Sequence, residues 1–195
     1  MNPAAYAVIL AGGPGARLWP ISRRQTPKPF LKLFGGTSLI RATQNRLRGL
    51  IPPSRTFVVT GAETASAVTG ELPRLPKENL LPEPEGRNTA ASIGYAALHA
   101  RRRNPKALLV VLPADHFIRN EPEFRKILDA ALAWSWETDD IVTLGVPPDR
   151  SETGYGYLRE GDSIGTSGGC PVHRVAAFVE KPSPRRAKRY LAAGG

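Results

Sequence analysis

A glycine-rich segment directly after an apolar run is the part of the sequence best suited to bind phosphate. It reads LAGGPGARL at residues 10–18 and follows strand-forming residues that begin at Tyr6. Glycines after a buried strand let backbone N–H groups approach phosphate oxygens without interference from Cβ atoms. Gly12, Gly13 and Gly15 are therefore candidate nucleotide-binding residues. The structural alternative is a tight turn without a ligand, since glycine motifs are common.

Two cations accompany this loop. Arg17 can fork across phosphate oxygens, and Lys28 supplies a compact positive charge. A dinucleotide-binding fingerprint would need a third glycine at position 18, which is leucine in this sequence. It would also need an acidic residue about 20 positions later, and residues 30–36 contain none. A P-loop would end in Gly-Lys-Ser/Thr, which is absent from this segment. Both of these nucleotide-binding motifs are excluded.

Four further segments carry side chains suited to a nucleotide, a metal ion or a sugar phosphate. In chain order they are EGRNTA at residues 85–90, LPADH at 112–116, ETGYGY at 152–157 and FVEKP at 178–182. Asp115 directly follows the apolar run that we predict to be the most strongly buried strand. Ligand groups gather beyond the carboxyl ends of parallel strands, so Asp115 is placed where a ligand would bind. Its carboxylate suits Mg²⁺, although an isolated Asp after a strand is usually a turn residue.

The other segments also have structural explanations. Asn88 and Thr89 are typical helix-capping residues, and Asn88 is the predicted N-cap of the helix that follows. Residues 152–157 are typical of a hairpin turn that enters a strand. Glu180 and Lys181 would form a solvated surface pair in most proteins. His116 is expected to shape its loop and not to act as a base.

Short apolar runs that alternate with helix-like segments must position these residues. Candidate strands lie at residues 6–11, 56–60, 107–112 and 141–144, and candidate helices at 38–50, 89–103 and 120–134. Ser38 is the expected N-cap of the first helix. Shorter strand signals follow at 155–159 and 172–180, in a predicted substrate-side subregion. Strands separated by helices predict right-handed crossovers, and hence an α/β fold with a mostly parallel sheet flanked by helices.

Composition limits the classes of partner. The 195 residues suffice for one sizeable domain, and the net charge of +10 calls for an anionic partner. No aromatic residues interleave with the basic clusters at 101–103 and 185–189, so a phosphate-rich small substrate is favoured over nucleic acid. No apolar run approaches the roughly 20 residues that span a bilayer, and no secretory signal is visible. With Cys170 as the only cysteine, these features predict a cytoplasmic protein without a membrane partner. The sequence leaves assembly into a homo-oligomer open.

In order and spacing, these five segments resemble the sugar nucleotidyltransferases. The residues that follow Arg17, LWPISR at 18–23, resemble the mannose-1-phosphate guanylyltransferase branch of that family. Ala16 stands where the family usually has Thr or Ser, and Pro29 where it usually has Gln. The resemblance runs from about Ala7 to Pro182. It implies a Rossmann-like fold of the nucleotide-diphospho-sugar transferase type.

The resemblance also implies a reaction and a set of roles. The reaction is transfer of GMP from GTP to mannose 1-phosphate, with Mg²⁺ as cofactor and pyrophosphate as the second product. The implied catalytic residues are Arg17, Lys28, Asp115 and Lys181, with Asp115 as the metal ligand. The implied nucleotide-binding residues are Gly12, Gly13, Gly15, Glu85, Arg87, Asn88 and Thr89, and the implied sugar-binding residues are Gly156 and Glu180. Guanine has adjacent N–H donors, for which Glu83 and Glu85 are candidate acceptors.

Members of the resembled family usually continue beyond this length, through an Asn-Ser-Gly-type sugar-binding segment and a further metal-binding aspartate. We therefore expect one nucleotidyltransferase domain over residues 1–195 that is truncated on its C-terminal side. Two alternatives stay open. One is a related nucleotidyltransferase with another base or sugar 1-phosphate, and the other is a noncatalytic fragment that binds a nucleotide sugar.

Overall fold

A computed structural model describes residues 4–12, 20–23, 27–33 and 35–192. The chain forms two compact units, residues 1–125 and residues 126–195. Most of the predicted phosphate loop, including Gly13, Gly15 and Arg17, lies outside the described residues. Within the described residues, no helix combines the length and the apolar character needed to cross a membrane.

The first unit is built on a parallel sheet of four strands. The strands are β1 (Ala5–Leu10), β2 (Thr56–Gly61), β3 (Leu80–Glu83) and β4 (Leu108–Pro113). They lie in the order β3-β2-β1-β4, and every pairing is parallel. Leu10 lies opposite both Val59 and Pro113, so the carboxyl ends of these strands share one edge of the sheet. The predicted α/β fold with a mostly parallel sheet is confirmed.

Helices cover this sheet. They are α1 (Leu39–Arg46), α2 (Ala65–Glu71) and α3 (Asn88–Arg103). A further helix, α4 (Glu121–Thr138), begins in the first unit and ends in the second. The helix α3 packs on one face of the sheet through a buried cluster, whose members are Tyr6, Val8, Phe57, Val59, Leu81, Ala96 and Ala100. Alternate residues of β1 and β2, such as Ile9 and Val58, point to the opposite face and are also fully buried. Burial on both faces explains why these strands read as continuous apolar runs.

Phe57 is the largest fully buried side chain of this core. Its ring stacks on Tyr6 with the centroids 5.9 Å apart, and the Arg103 guanidinium lies 4.8 Å from its centroid. Burying a side chain of this size contributes about 1.5–3 kcal/mol. The last turn of α3 is thereby held against the sheet through both an apolar and a cation–π contact.

The start of α1 is as predicted, but its end is not. The Ser38 hydroxyl accepts a hydrogen bond from the Arg41 backbone N–H at 3.4 Å, which confirms the N-cap. The helix ends at Arg46 and not near residue 50. Gly49 adopts a φ of +84°, and this left-handed conformation cannot continue a right-handed helix.

The second unit contains an antiparallel hairpin of β5 (Gly156–Ser167) and β6 (Cys170–Glu180), followed by α5 (Pro184–Ala192). The strands extend beyond both predicted segments. The turn of the hairpin lies at Gly168 and Gly169, which have φ values of +54° and +77°. The hairpin turn predicted at residues 152–157 is therefore wrong, although this segment does enter a strand, β5, at Gly156. Ser167 Oγ donates to the Ala130 carbonyl at 2.8 Å, which ties the end of β5 to α4.

Two further expectations about regular structure were wrong. Residues 141–144 form no strand, and Ile141 is fully exposed. An apolar run becomes a strand only when another strand accepts its backbone hydrogen bonds, and none does so within the described residues. The run at 107–112 was expected to be the most buried strand, yet β4 is mostly half-buried. Among the described residues it pairs on one side only, with β1, and is an edge strand of the sheet. β3, α2 and α5 were not predicted.

Candidate functional site

The carboxyl edge of the parallel sheet carries several of the predicted site residues. Gly12 follows β1, Glu83 ends β3, and Asp115 follows β4. A Cβ atom on Gly12 would lie 3.6 Å from Glu83 Oε2, so the loop after β1 starts beside this carboxylate. The backbone N–H of Ala114 donates to the Leu10 carbonyl at 3.0 Å. Hydrogen bonds between neighbouring strand ends thus place these loops side by side.

Lys28 and Asp115 are in direct contact, although 87 positions separate them. Lys28 Nζ lies 2.6 Å from Asp115 Oδ2, and each side chain is about one-third exposed (32% and 34%). Lys28 opens a short 3₁₀ turn, Lys28–Phe30, after Pro27. The structure therefore brings two of the four predicted catalytic residues together at the sheet edge, in a position that solvent or a ligand can reach.

Arg46 supports the loop that carries Asp115 through a hydrogen bond to the backbone of that loop. This residue is only 3% exposed, and its Nη2 donates to the His116 carbonyl. Burial lowers the pKa of Arg46, while the charge of Glu121 opposes that shift. The sequence analysis missed this residue. Arg46 lies seven positions after Leu39 on the buried stripe of α1, and an arginine in an apolar stripe is the signal that could have revealed it.

His116 keeps substantial solvent exposure but has a lowered pKa. Partial loss of hydration is the main cause, the positive charges of Arg46 and Lys28 act in the same direction, and Asp115 opposes them. The imidazole is therefore neutral near pH 7 and adds no positive charge beside the Lys28–Asp115 pair.

The predicted base-facing segment forms the connection between β3 and α3. Glu83 Oε1 accepts a hydrogen bond from Ser92 Oγ at 2.7 Å, which fixes its orientation. Glu85 and Arg87 pair with each other at 2.7 Å, and both are mostly exposed. Asn88 begins α3 with a φ of +64°, while Arg87 occupies the N-cap position without a side-chain hydrogen bond. The predicted N-cap role of Asn88 is therefore wrong, because Asn88 is itself the first residue of α3 and Arg87 precedes it in the N-cap position.

The predicted sugar-side residues lie together in the second unit. Gly156 pairs with Glu180 across the hairpin, and a Cβ on Gly156 would lie 2.6 Å from the Phe178 ring and 3.0 Å from Glu180 Oε2. Only glycine fits this position without a shift of its neighbours. Lys181 has a φ of +44°, and its backbone N–H donates to the Tyr155 carbonyl at 3.1 Å. Its Nζ lies 3.3 Å from Glu180 Oε1, and both side chains are more than half exposed.

The predicted site residues thus form two groups. Lys28 and Asp115 meet in the first unit, and Gly156, Glu180 and Lys181 meet in the second. Thr89 is exposed at the start of α3. Convergence of the glycine loop, Asp115 and Lys181 on a single cleft stays a prediction, as do the roles of the individual residues.

The described side chains fit a Mg²⁺ ion only if a substrate supplies further ligands. Among these residues no group of three or more His, Cys, Asp or Glu side chains could hold a metal. At the sheet edge Asp115 offers one carboxylate, whose Oδ2 is engaged by Lys28. Mg²⁺ is commonly held by one or two carboxylates together with substrate phosphates. A Mg²⁺ ion at this edge would therefore need further ligands from a bound phosphate group.

This fold and the placement of its charged residues agree with the match to a known family. Residues 6–195 match the family described as nucleotidyl transferase, which is nearly the whole chain. The chain belongs to this family.

Individual relatives narrow the comparison. The chain is 44% identical over 189 residues to a mannose-1-phosphate guanylyltransferase of Klebsiella pneumoniae, and 42% identical over 193 residues to one of Escherichia coli K12. The matches cover 96% and 97% of this chain but 40% of each relative. The chain thus spans less than half the length of these relatives.

Solved structures agree with the fold. A crystal structure from Thermus thermophilus, described as a mannose-1-phosphate geranyltransferase, has a TM-score of 0.87 and 39% identity. The match covers 98% of this chain and 54% of that one. A structure from Helicobacter pylori, described as a mannose-6-phosphate isomerase, gives a TM-score of 0.75 at 26% identity and is covered to 66%.

Proposed function

We propose that this chain carries out the nucleotidyl-transfer chemistry that converts GTP and mannose 1-phosphate into GDP-mannose and pyrophosphate. The observation that carries the proposal is the Lys28–Asp115 contact at the carboxyl edge of the parallel sheet. It supplies a cation for phosphate and a carboxylate for a metal at the place where open α/β sheets bind ligands. The similarity to mannose-1-phosphate guanylyltransferases supports the choice of these two substrates.

In the proposed reaction, a phosphate oxygen of mannose 1-phosphate attacks the α-phosphorus of GTP. A new P–O bond forms, the bond to the β-phosphate oxygen breaks, and the electron pair leaves with pyrophosphate. The nucleophile is already anionic near neutral pH, so no general base is needed. Catalysis then depends on alignment and charge compensation.

Several residues of the chain would compensate the negative charges of the two substrates. Lys28 and Arg17 would bind the triphosphate, together with backbone N–H groups of the glycine loop. Lys181 would neutralise the phosphate of the sugar, and the neighbouring Glu180 would accept hydrogen bonds from sugar hydroxyls. Asp115 would hold Mg²⁺, which when bound neutralises negative charge on the phosphates. The cytoplasmic location predicted from the sequence and the homo-oligomer that it leaves open stay untested expectations.

A pyrophosphate-release panel tests the function. Four nucleoside triphosphates are crossed with several sugar 1-phosphates, with and without Mg²⁺, on this chain and on any longer form. Release that requires GTP, mannose 1-phosphate and Mg²⁺ together is the expected result. Preference for another base or sugar would select a related nucleotidyltransferase instead. Binding of GDP-mannose without any pyrophosphate release would select a noncatalytic nucleotide-sugar-binding protein.

A further inference from the structure

The helix α5 concentrates positive charge in the second unit. Its sequence, PRRAKRYLA, contains four cations and no carboxylate. All four side chains are exposed, and none forms a hydrogen bond or an ion pair within the described residues. The basic face of α5 denotes these four residues, which are Arg185, Arg186, Lys188 and Arg189. The proposed reaction assigns no role to them.

The stability of the helix does not explain this charge. Arg185 and Arg186 lie in the first turn, where the helix dipole disfavours cations, and no acidic residue accompanies them there. Residues three or four positions apart are neighbours on a helix surface, so Arg185 repels both Lys188 and Arg189. The basic face therefore weakens α5 when no anion is near, and an anion beside it would relieve the repulsion.

Packing on the other side of α5 leaves the basic face open to solvent. Ala187 is fully buried, and the centroid of the Tyr190 ring lies 5.5 Å from that of Tyr157 on β5. Ala187 and Tyr190 are three positions apart, so together they mark the side of the helix that contacts the hairpin. The cations occupy the other positions of the helix, where an ion in solution can approach them.

The basic face lies close to Lys181, the residue assigned to the sugar phosphate. Four chain steps separate Lys181 from Arg185, which limits their Cα separation to about 14 Å. Four further helical residues add about 6 Å, so Arg189 lies within about 20 Å of Lys181. The Debye length is about 30 Å at about 0.01 M ionic strength and about 10 Å at about 0.1 M. The charge of α5 therefore acts at Lys181 in dilute salt and is largely screened at higher salt.

Lys181 needs additional positive charge to attract a phosphate dianion. Its Nζ lies 3.3 Å from Glu180 Oε1, and this carboxylate offsets the charge of the ammonium group. A surface with one sign of charge raises the local concentration of an oppositely charged ligand. We propose that the basic face of α5 attracts the phosphate of the sugar 1-phosphate through long-range electrostatics and thereby concentrates this substrate at Lys181. The inference rests on the proposed function for the identity of the ligand.

Amide NMR of the ¹⁵N-labelled chain tests the attraction without requiring turnover. Titration with mannose 1-phosphate gives a dissociation constant from the shift of the Lys181 amide. Arg185→Glu together with Arg189→Glu should raise this constant about tenfold at about 0.01 M ionic strength and about twofold at about 0.1 M. The double reversal replaces like-charge neighbours with opposite-charge ones, so α5 should keep its stability, which thermal melts check. An unchanged dissociation constant in dilute salt would overturn the proposal.

A charge-conserving variant separates long-range attraction from direct contact. Arg185→Lys together with Arg189→Lys keeps both charges but removes the guanidinium geometry, so the dissociation constant should stay within about twofold. A loss as large as that of the double reversal would mean that the guanidinium groups contact the ligand directly, which would refute the long-range mechanism.

A second control tests whether the effect depends on position. Arg174 is an exposed residue of β6 that lies seven residues before Lys181, about 20 Å away along the strand. Arg174→Glu should change the dissociation constant by no more than about twofold, because its charge is farther from Lys181. A loss as large as that of the double reversal on α5 would indicate nonspecific attraction to a basic chain and would refute a role of α5.

This inference and the proposed function fail separately. If pyrophosphate release is absent but the titration at Lys181 depends on α5 as expected, the reaction is refuted and the attraction stands. If release occurs and the double reversal leaves the KM for mannose 1-phosphate unchanged in dilute salt, the attraction alone is refuted. If mannose 1-phosphate causes no saturable shift at Lys181 at any ionic strength, the inference is overturned.

Discussion

Replacing Lys28 with methionine separates a catalytic role of this residue from a structural one. Methionine retains most of the length of the side chain but removes its charge. Lys28 Nζ lies 2.6 Å from Asp115 Oδ2, in a pair whose members are each about one-third exposed. Ion pairs this accessible to solvent contribute about 0–1 kcal/mol to stability. The free energy of unfolding should therefore fall by at most about 1 kcal/mol.

The expected effect on turnover is much larger. Removing one preorganised donor from a site that stabilises transferring charge costs about 10²–10³ in rate, which corresponds to about 2.7–4 kcal/mol. If Lys28 binds the triphosphate, the loss of transition-state stabilisation exceeds the loss of folding stability severalfold. A role that is only structural would make the two losses comparable.

Lys77 provides a matched control within the same chain. Lys77, like Lys28, opens a three-residue 3₁₀ turn directly after a proline, and it is exposed. Lys77→Met should leave both quantities unchanged. Pyrophosphate release at saturating substrate and denaturant unfolding are measured on both variants and on the unmodified chain. Equal turnover in Lys28→Met and Lys77→Met, or a turnover loss that follows the unfolded fraction, would refute the assignment of Lys28 to the reaction.

Three further predictions follow from other sites. Lys181→Ala should reduce turnover far more than stability, because the side chain is mostly exposed yet is assigned to the sugar phosphate; kinetics and thermal melts on one preparation check this. Asn88→Val should lower the free energy of unfolding by about 1–2 kcal/mol, whereas Asn88→Gly should be nearly neutral, because φ is +64°; denaturant titration measures both. Asn79→Ala should cost about 2 kcal/mol, because the two N–H groups of its buried Nδ2 are shared among three backbone carbonyls. Urea unfolding measures the loss.

Each of these predictions has a result that would contradict it. If the melting temperature of Lys181→Ala fell in proportion to its loss of activity, the role of Lys181 would be structural and not catalytic. Equal stabilities of the two Asn88 variants would mean that the positive φ carries no strain. A cost below about 1 kcal/mol for Asn79→Ala would mean that water replaces the amide at those carbonyls.

Local sequence patterns were sufficient for several elements. The apolar runs at β1 and β2 are continuous because both faces of the sheet are covered, and burial on both faces requires such runs. The Ser38 cap was also predictable, since a hydroxyl before an amphipathic run satisfies an otherwise unpaired N–H at the helix start. Gly49, three residues after the end of α1, was an available signal that the helix does not reach residue 50.

Other features depended on partners that are distant in sequence. Residues 141–144 have strand-forming composition but no neighbouring strand among the described residues, and pairing decides whether such a run becomes a strand. The short β3 was missed because a four-residue strand that contains Pro82 has no clear pattern, and its pairing with β2 defines it. The sequence analysis did not single out Arg46, and only the packing of α1 shows that it is buried.

The sequence by itself determined the α/β class, the order of the motifs and the residue types that can bind phosphate, because backbone preferences and burial patterns are local properties. The tertiary structure alone decided that Lys28 meets Asp115 across 87 positions and that Arg46 supports the His116 carbonyl. These contacts arise because parallel strands bring distant segments to one edge, and no periodicity in the chain encodes which side chains then face each other.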